Sequence, residues 1–300
     1  MMHRIVSRHP FEVLEEELGS TGAGQCQASS KRQVMHGLSV LDAERRCSEL
    51  AEREGIDVAL LKFAALRHYC GVGVSNRPVS DLDLLVREAD IAPLTDALLG
   101  IGATRVTHWV PSHHPAVVRM PSGRSVELHV RLAYVTTDKK RDSATLEMMK
   151  AAGLLQPVGG ATHVFLPNQA SLLAHLVTHA LIQHAFAPKA YPVTRLLADA
   201  IDLGVADLPE LVEAATGLIA ERAAARQAVA LASIAAACVT GAVADVLSSD
   251  TEASKLLKHM LAASLDESYQ RRLRVRRVWQ LVDEVGVLAT FRHWCRWLVR

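Results

Sequence analysis

The chain has 300 residues, longer than one minimal domain, and half of them are apolar with 22% charged, which excludes a disordered chain. Thirty-three basic residues against thirty-two acidic ones leave a net charge of +1, which excludes a protein basic throughout, as a non-specific nucleic-acid binder is. Five cysteines, odd in number, widely spaced and without a Cys-x-x-Cys pair, exclude a disulfide framework and a cysteine zinc knuckle and fit a reducing cytoplasm.

Along the chain, Met1 to Leu18 carries charges and lacks an apolar run of signal-peptide length. Residues 20–33, rich in Gly, Ser and Gln, read as a loop, so 1–37 form a short helix and a loop. Leu38 to Glu54 has helical spacing and stops at Gly55. Asp57 to Leu61 reads as a buried strand ending at Lys62. Ala64 to Tyr69 reads as a helix stopped by Gly71 and Gly73, and Ser80 to Val86 as a second strand. Asp90 to Leu99 is an amphipathic helix. Strands follow at Ala103 to Val110, Ala116 to Met120 and Ser125 to Leu132, the last two joined by the turn Pro121-Ser122-Gly123-Arg124. From Leu166 the pattern turns helical, with segments at 169–186, 192–203, 208–247, 252–265 and 269–299. Ala228 to Leu247, the best membrane candidate, contains Gly241 and Asp245 and is read as a buried helix instead. The organisation expected is an N-terminal 1–37, an α+β domain over 38–150 and a helical domain over 151–300, in the cytoplasm and without a transmembrane segment.

The sharpest chemical signal is Ser80-Asp81-Leu82-Asp83-Leu84-Leu85-Val86. Residues two apart on a strand share a face, so Asp81 and Asp83 aim two carboxylates side by side. Such a pair repels itself and is relieved by a hard divalent cation. Alone, Asp-x-Asp is common at solvated loop ends. In Val126-Glu127-Leu128-His129-Val130-Arg131-Leu132 the alternation puts Glu127, His129 and Arg131 on one face. A strand with a polar solvent face would look the same. Taken together, the two strands offer three carboxylates, the set that two-metal phosphoryl or nucleotidyl transfer requires.

The segments Leu60 to Leu66, Asn76 to Val86 and Val126 to Leu132 resemble a bacterial nucleotidyltransferase family of the polymerase-β superfamily. Its members are uncharacterised NTP transferases that accompany peptide natural-product genes. The matching pattern is Leu-Leu-Lys-Gly, Arg-x-x-Ser-Asp-x-Asp and Glu-Leu-His with a following basic residue. Pro167, Leu172, Leu173, His175, His179, His184, Arg195, Leu196 and Asp199 resemble its His-bearing helix and the Leu-x-x-x-Asp helix after it, so the resemblance spans about 38–205. It implies an α+β fold, a polymerase-β-like domain with a small mixed sheet, followed by an α-helical domain. It implies transfer of NMP from an NTP to a hydroxyl or phosphate acceptor with release of pyrophosphate. Asp81, Asp83 and Glu127 would be the catalytic and metal-binding carboxylates, holding two Mg²⁺ ions, with Mn²⁺ as the substitute. Lys62, Arg77 and Ser80 would bind the nucleotide phosphates, and His129, Arg131 and His179 would face the acceptor or support the carboxylates. A peptide or small-molecule acceptor is favoured over RNA or protein.

One position departs from that pattern: Phe63 stands where the family has Gly. Glycine lets backbone amides approach phosphate closely, and Phe63 would deny this unless its side chain turns into the core. The second reading is therefore a catalytically silent nucleotide- or partner-binding module on the same scaffold. His175 and His179, four apart, also raise a zinc pair, but no Glu accompanies them as in His-Glu-x-x-His. Finally, 271–300 carries eight arginines against Asp283 and Glu284, interleaved with Trp279, Trp294 and Trp297. A solvated helix face is the first reading, an anionic partner such as RNA the second and peripheral membrane contact the last.

Overall fold

The computed structural model describes residues 26–71, 79, 81–106, 116–137, 143–183 and 193–265. Arg77, Ser80, His184 and the arginine-rich 271–300 lie outside them, as do residues 1–25.

The first helix, α1, runs over Cys26–Glu54. It covers most of the stretch expected to be a loop. Gly19, Gly22 and Gly24 all precede Cys26, and the next ten residues contain neither Gly nor Pro, so nothing interrupts helix there. Val40, Ala43, Cys47, Leu50 and Ala51 are buried at three- and four-residue spacing, which gives α1 one core-facing stripe.

The sheet has seven strands among the described residues, in the order β3-β4-β5-β2-β1-β7-β6. These are β1 (Val58–Leu60), β2 (Asp81–Val86), β3 (Thr104–Val106), β4 (Ala116–Arg119), β5 (Ser125–His129), β6 (Leu155–Pro157) and β7 (Val164–Pro167). It is a mixed sheet. β2 runs antiparallel to β1 but parallel to β5, and β1 runs parallel to β7. The β4–β5 hairpin is as expected, closed by the Met120 amide donating to the Arg124 carbonyl at 2.8 Å, with Gly123 in the left-handed region at φ 82°. β6 and β7 lie past residue 150, where the sequence shows no clear strand signal. Each has only three or four residues, and each ends in proline, so neither shows an alternation long enough to read.

Two helices flank the centre of the sheet. α2 (Lys62–Cys70) packs on β2, and α3 (Ile91–Gly100) packs against α1 and β4. After the short α4 (Leu146–Ala151) and the β6–β7 pair comes α5 (Gln169–Thr178), continued by one π-helical turn, His179–Gln183. Asn168 caps α5 by accepting from the Ser171 amide at 2.9 Å. The helices that follow are α6 (Val193–Asp202), α7 (Pro209–Gly217), α8 (Arg222–Thr240), α9 (Val243–Ser248) and α10 (Glu252–Leu265). The stretch 208–247 is therefore three helices rather than one. Pro209 starts α7, Glu221 caps α8, and Gly241 at φ 77° ends α8. By length and composition α8 could cross a membrane. It packs on α7 and α10 instead and buries Leu231, Ile234 and Cys238 among them.

The core is one connected cluster of aliphatic side chains running from Val40 in α1 to Met260 in α10. Its central strands are buried on both faces except at Asp81 in β2 and at Ser125 and Glu127 in β5, which are partly exposed.

Candidate active site

The site is built by strand register. β2 and β5 pair in parallel with Asp83 opposite Glu127, Asp81 opposite Ser125 and Leu85 opposite His129. Registered partners in a parallel sheet share a face, so Asp81, Asp83, Glu127 and His129 project from one side. Leu82, Leu84, Val126 and Leu128 project from the other into the aliphatic core, which fixes the register: a slip of one residue would turn the carboxylates into that core, away from Lys62.

Asp83 is the centre. Its side chain is 4% exposed, and its Oδ1 accepts from Lys62 Nζ at 2.6 Å and from His129 Nε2 at 2.9 Å. Burial pushes the Asp83 carboxyl up, but the Lys62 charge and the His129 hydrogen bond outweigh it and hold the carboxyl far below the ordinary range. Asp83 is thus ionised and can only accept, so His129 carries its proton on Nε2. Burial keeps His129 below its usual pKa despite the adjoining carboxylate, and it is neutral at pH 7.

Glu127 differs from its neighbour. Its side chain is 23% exposed, and His129 Nε2 is 4.0 Å from its Oε2. Burial raises the Glu127 carboxyl first and the Asp83 charge raises it further, to about 8. One carboxylate therefore stays ionised while the other holds a proton near neutrality. One ligand atom each from Asp83, Glu127 and His129 falls within 4.8 Å of the others, the single such grouping among the described residues. Two hard oxygens fit Mg²⁺ or Mn²⁺, while the His129 Nε2 proton, donated to Asp83, keeps that nitrogen as a support for the carboxylate rather than a ligand. Asp81, half-buried at the start of β2, lies close enough to strengthen the hold of Lys62 on its proton.

Lys62 does not end the first strand, as the sequence reading has it. It opens α2 with φ 47°, in the left-handed region that residues with a Cβ seldom adopt. The preceding Leu61 amide donates to the Asp83 carbonyl at 3.0 Å and ties the β1–α2 junction to β2. Phe63 has its side chain in the core, 4% exposed, and is not among the non-glycine residues with positive φ. The left-handed turn falls one residue earlier, on Lys62.

The remaining residues named from the sequence are placed less centrally. Arg131 follows the end of β5 and is exposed, so the face shared by Glu127 and His129 does not extend to it. His179 is buried on the π-helical turn, with its ring centroid 5.6 Å from that of His175. His175 lies within electrostatic reach of Lys62 and Asp83. Burial first, then the Lys62 and His129 charges, push its pKa down to about 3, and neither ring nitrogen has a partner. Sequence reasoning favoured His179. The sequence signal for His175 was its position two turns into a helix that starts directly from a sheet strand, which carries it over the sheet.

The family model described as "Uncharacterised nucleotidyltransferase" matches residues 11–240. Among solved structures, the chain is similar to the antibiotic-resistance factor ANT(2'')-Ia, whose solution structure is described as showing substrate-regulated conformation dynamics. That similarity has a TM-score of 0.42 and 11% identity, over 67% of this chain and 95% of that one. The sequence matches no curated protein.

Proposed function

Since the chain belongs to the uncharacterised nucleotidyltransferase family, we propose that it transfers NMP from an NTP to an acceptor hydroxyl or phosphate and releases pyrophosphate. The observation that carries the reading is the Asp83–Glu127 register on parallel strands, with Lys62 and His129 both bonded to Asp83. Asp81, Asp83 and Glu127 hold Mg²⁺ in this reading, two ions in all, with Mn²⁺ as substitute. When bound, the metal neutralises the triphosphate and lowers the pKa of the attacking hydroxyl.

The residues of the chain do the rest. His129 is sealed and neutral, and it holds Asp83 Oδ1 in one orientation through its Nε2 proton. Glu127 is the carboxylate that remains partly open; it is protonated near neutrality in the metal-free fold and would become available as a base when a bound cation displaces that proton. It takes the proton of the acceptor hydroxyl as that oxygen bonds to the α-phosphorus. The bond from the α-phosphorus to the bridging oxygen breaks, and pyrophosphate leaves with the electron pair. Lys62, and Arg77 from the segment before β2, neutralise phosphate charge, and the Ser80 hydroxyl donates to a phosphate oxygen. The favoured acceptor is a peptide or small molecule. The buried Phe63 gives the silent-scaffold reading no support.

The test uses each of the four α-labelled NTPs with Mg²⁺ and a cell extract. Wild-type protein is expected to transfer label, and an Asp81→Ala/Asp83→Ala variant is not. Absence of transfer together with absence of thermal stabilisation by every NTP–Mg²⁺ pair would sink the proposal.

A further inference from the structure

Asp83 Oδ1 has two suitors in the fold and a third implied by the reading above. Lys62 Nζ is 2.6 Å away with its side chain 13% exposed, and His129 Nε2 is 2.9 Å away with its side chain fully buried. A carboxylate oxygen offers two lone pairs, and these two donors use both. Any cation that takes Oδ1 must therefore displace one of them, and one that takes Oδ2 instead still meets the repulsion of the Lys62 charge beside it.

The two donors are not equally held. His129 belongs to β5 and is fixed by the strand register and by burial. Lys62 reaches Asp83 along a flexible four-carbon stem, and its ammonium is a point charge that needs no fixed geometry. Its backbone is what aims it: φ 47° at Lys62 and the Leu61–Asp83 backbone hydrogen bond set the start of α2 facing β2. So the side chain is free to leave while its origin stays beside the carboxylates. A departing ammonium needs an anion close by, and a triphosphate arriving with its metal supplies one.

We propose that Lys62 is the resident counter-cation of Asp83, exchanged for metal only when a nucleotide triphosphate brings the metal in and receives Lys62 on its phosphates. The inference rests on the nucleotidyltransferase reading and adds an order to it: metal without nucleotide meets a site already neutralised by Lys62, and the metal–nucleotide complex is the form that enters. Lys62 thereby also protects the buried carboxylate when no nucleotide is present.

Mn²⁺ binding is measured by calorimetry and by electron paramagnetic resonance on the full chain, alone and with non-hydrolysable analogues of the four NTPs. Wild type is expected to bind Mn²⁺ alone weakly and to bind it more tightly with one of the analogues. Lys62→Met is expected to bind Mn²⁺ alone about tenfold or more tighter than wild type, because the competing positive charge is gone. It is expected to gain far less from the analogue. Lys62→Arg keeps the charge and is expected to stay within about threefold of wild type for Mn²⁺ alone. Lys62→Met affinity for Mn²⁺ alone equal to or below wild type would overturn the exchange while leaving the nucleotidyltransferase reading intact. No Mn²⁺ binding by wild type with any analogue would remove that reading as well. A further measurement needs no variant with an unpaired Asp83. In ¹⁵N-lysine-labelled wild type, the Lys62 Nζ signal, identified by its loss in Lys62→Arg, is expected to be unmoved by Mg²⁺ and moved by Mg²⁺ with the analogue. A signal moved equally by Mg²⁺ alone also overturns the proposal.

Discussion

Asp83 and Glu127 sit side by side in register, yet burial acts on them with opposite outcomes because their partners differ. Both lose water, which raises a carboxyl pKa. Asp83 recovers through Lys62 and His129, whereas Glu127 faces the Asp83 charge and is pushed up to about 8. The sign of the stability effect follows. Between the ordinary glutamate value of 4.5 and about 8, the folded chain keeps a proton on Glu127 that the unfolded chain has released. Stability of the protein in a chelator therefore falls as pH rises through that window, by at most about 1.4 kcal/mol per pH unit for the one proton. Asp83 works the other way: its depressed pKa adds stability that is present above 3.8 and is lost as pH falls below it. Chemical denaturation at a series of pH values in EDTA should show the decline above pH 4.5, and Glu127→Gln should flatten it. An unchanged slope in Glu127→Gln would show that the proton sits elsewhere. At this scale the sequence was informative about which residue types matter and less so about their partners. Asp81, Asp83 and Glu127 can be read from two-residue alternation. The His129–Asp83 bond cannot, because it depends on a parallel pairing between residues 46 apart in the chain.

At the scale of the element, the β1–α2 junction decides how the departure at Phe63 is understood. A family glycine one place after the lysine invites the idea that Phe63 blocks a phosphate path. In the fold the left-handed backbone is at Lys62, α2 has already begun, and the next position points its side chain inward beside Ala64, Ala65 and Leu66. Phe63 is thus a core residue. Phe63→Gly should lose at least about 3 kcal/mol in urea unfolding, from the cavity and from glycine in a helix. It should bind no NTP analogue more tightly than wild type does. Phe63→Leu should cost less than about 1.5 kcal/mol and leave analogue binding unchanged. Tighter analogue binding by Phe63→Gly would show that the aromatic ring does obstruct the phosphates. The junction was hard to read because Asp57 to Leu61 is a short apolar run and helix propensity resumes at once, so the boundary has no Gly, Pro or capping side chain to mark it. The π-helical turn after α5 had no sequence mark either, since His179–Gln183 has an ordinary helical composition.

For the whole molecule, the division into a sheet half and a helical half describes the order of elements along the chain better than the packing. β1 lies between β2 on one side and β7 on the other, and β7 comes from beyond residue 150. The Val58 amide donates to the His163 carbonyl at 2.8 Å, so the central strand that leads into Lys62 is completed by the later segment. Tyr69 at the far end of α2 donates to the Pro167 carbonyl at 2.6 Å, and α5 packs against α2. Removing everything after residue 150 would leave β1 as an edge strand, paired with β2 alone, and take α5 off α2. A chain of residues 38–150 should therefore lack the dispersed amide NMR spectrum of a folded domain. The full chain should unfold with coincident transitions by far-ultraviolet circular dichroism and by hydrogen exchange in β2 and α5, as one connected core from Val40 to Met260 requires. Dispersed amide signals from the 38–150 chain, or separate transitions for β2 and α5, would mean that the sheet stands without its last two strands. In that case the register holding Asp83 beside Glu127 would owe nothing to the helical half. If the transitions coincide, substitutions in α5 far from the carboxylates should leave metal–nucleotide binding unchanged until they lower the folded fraction itself, and then weaken it by that fraction.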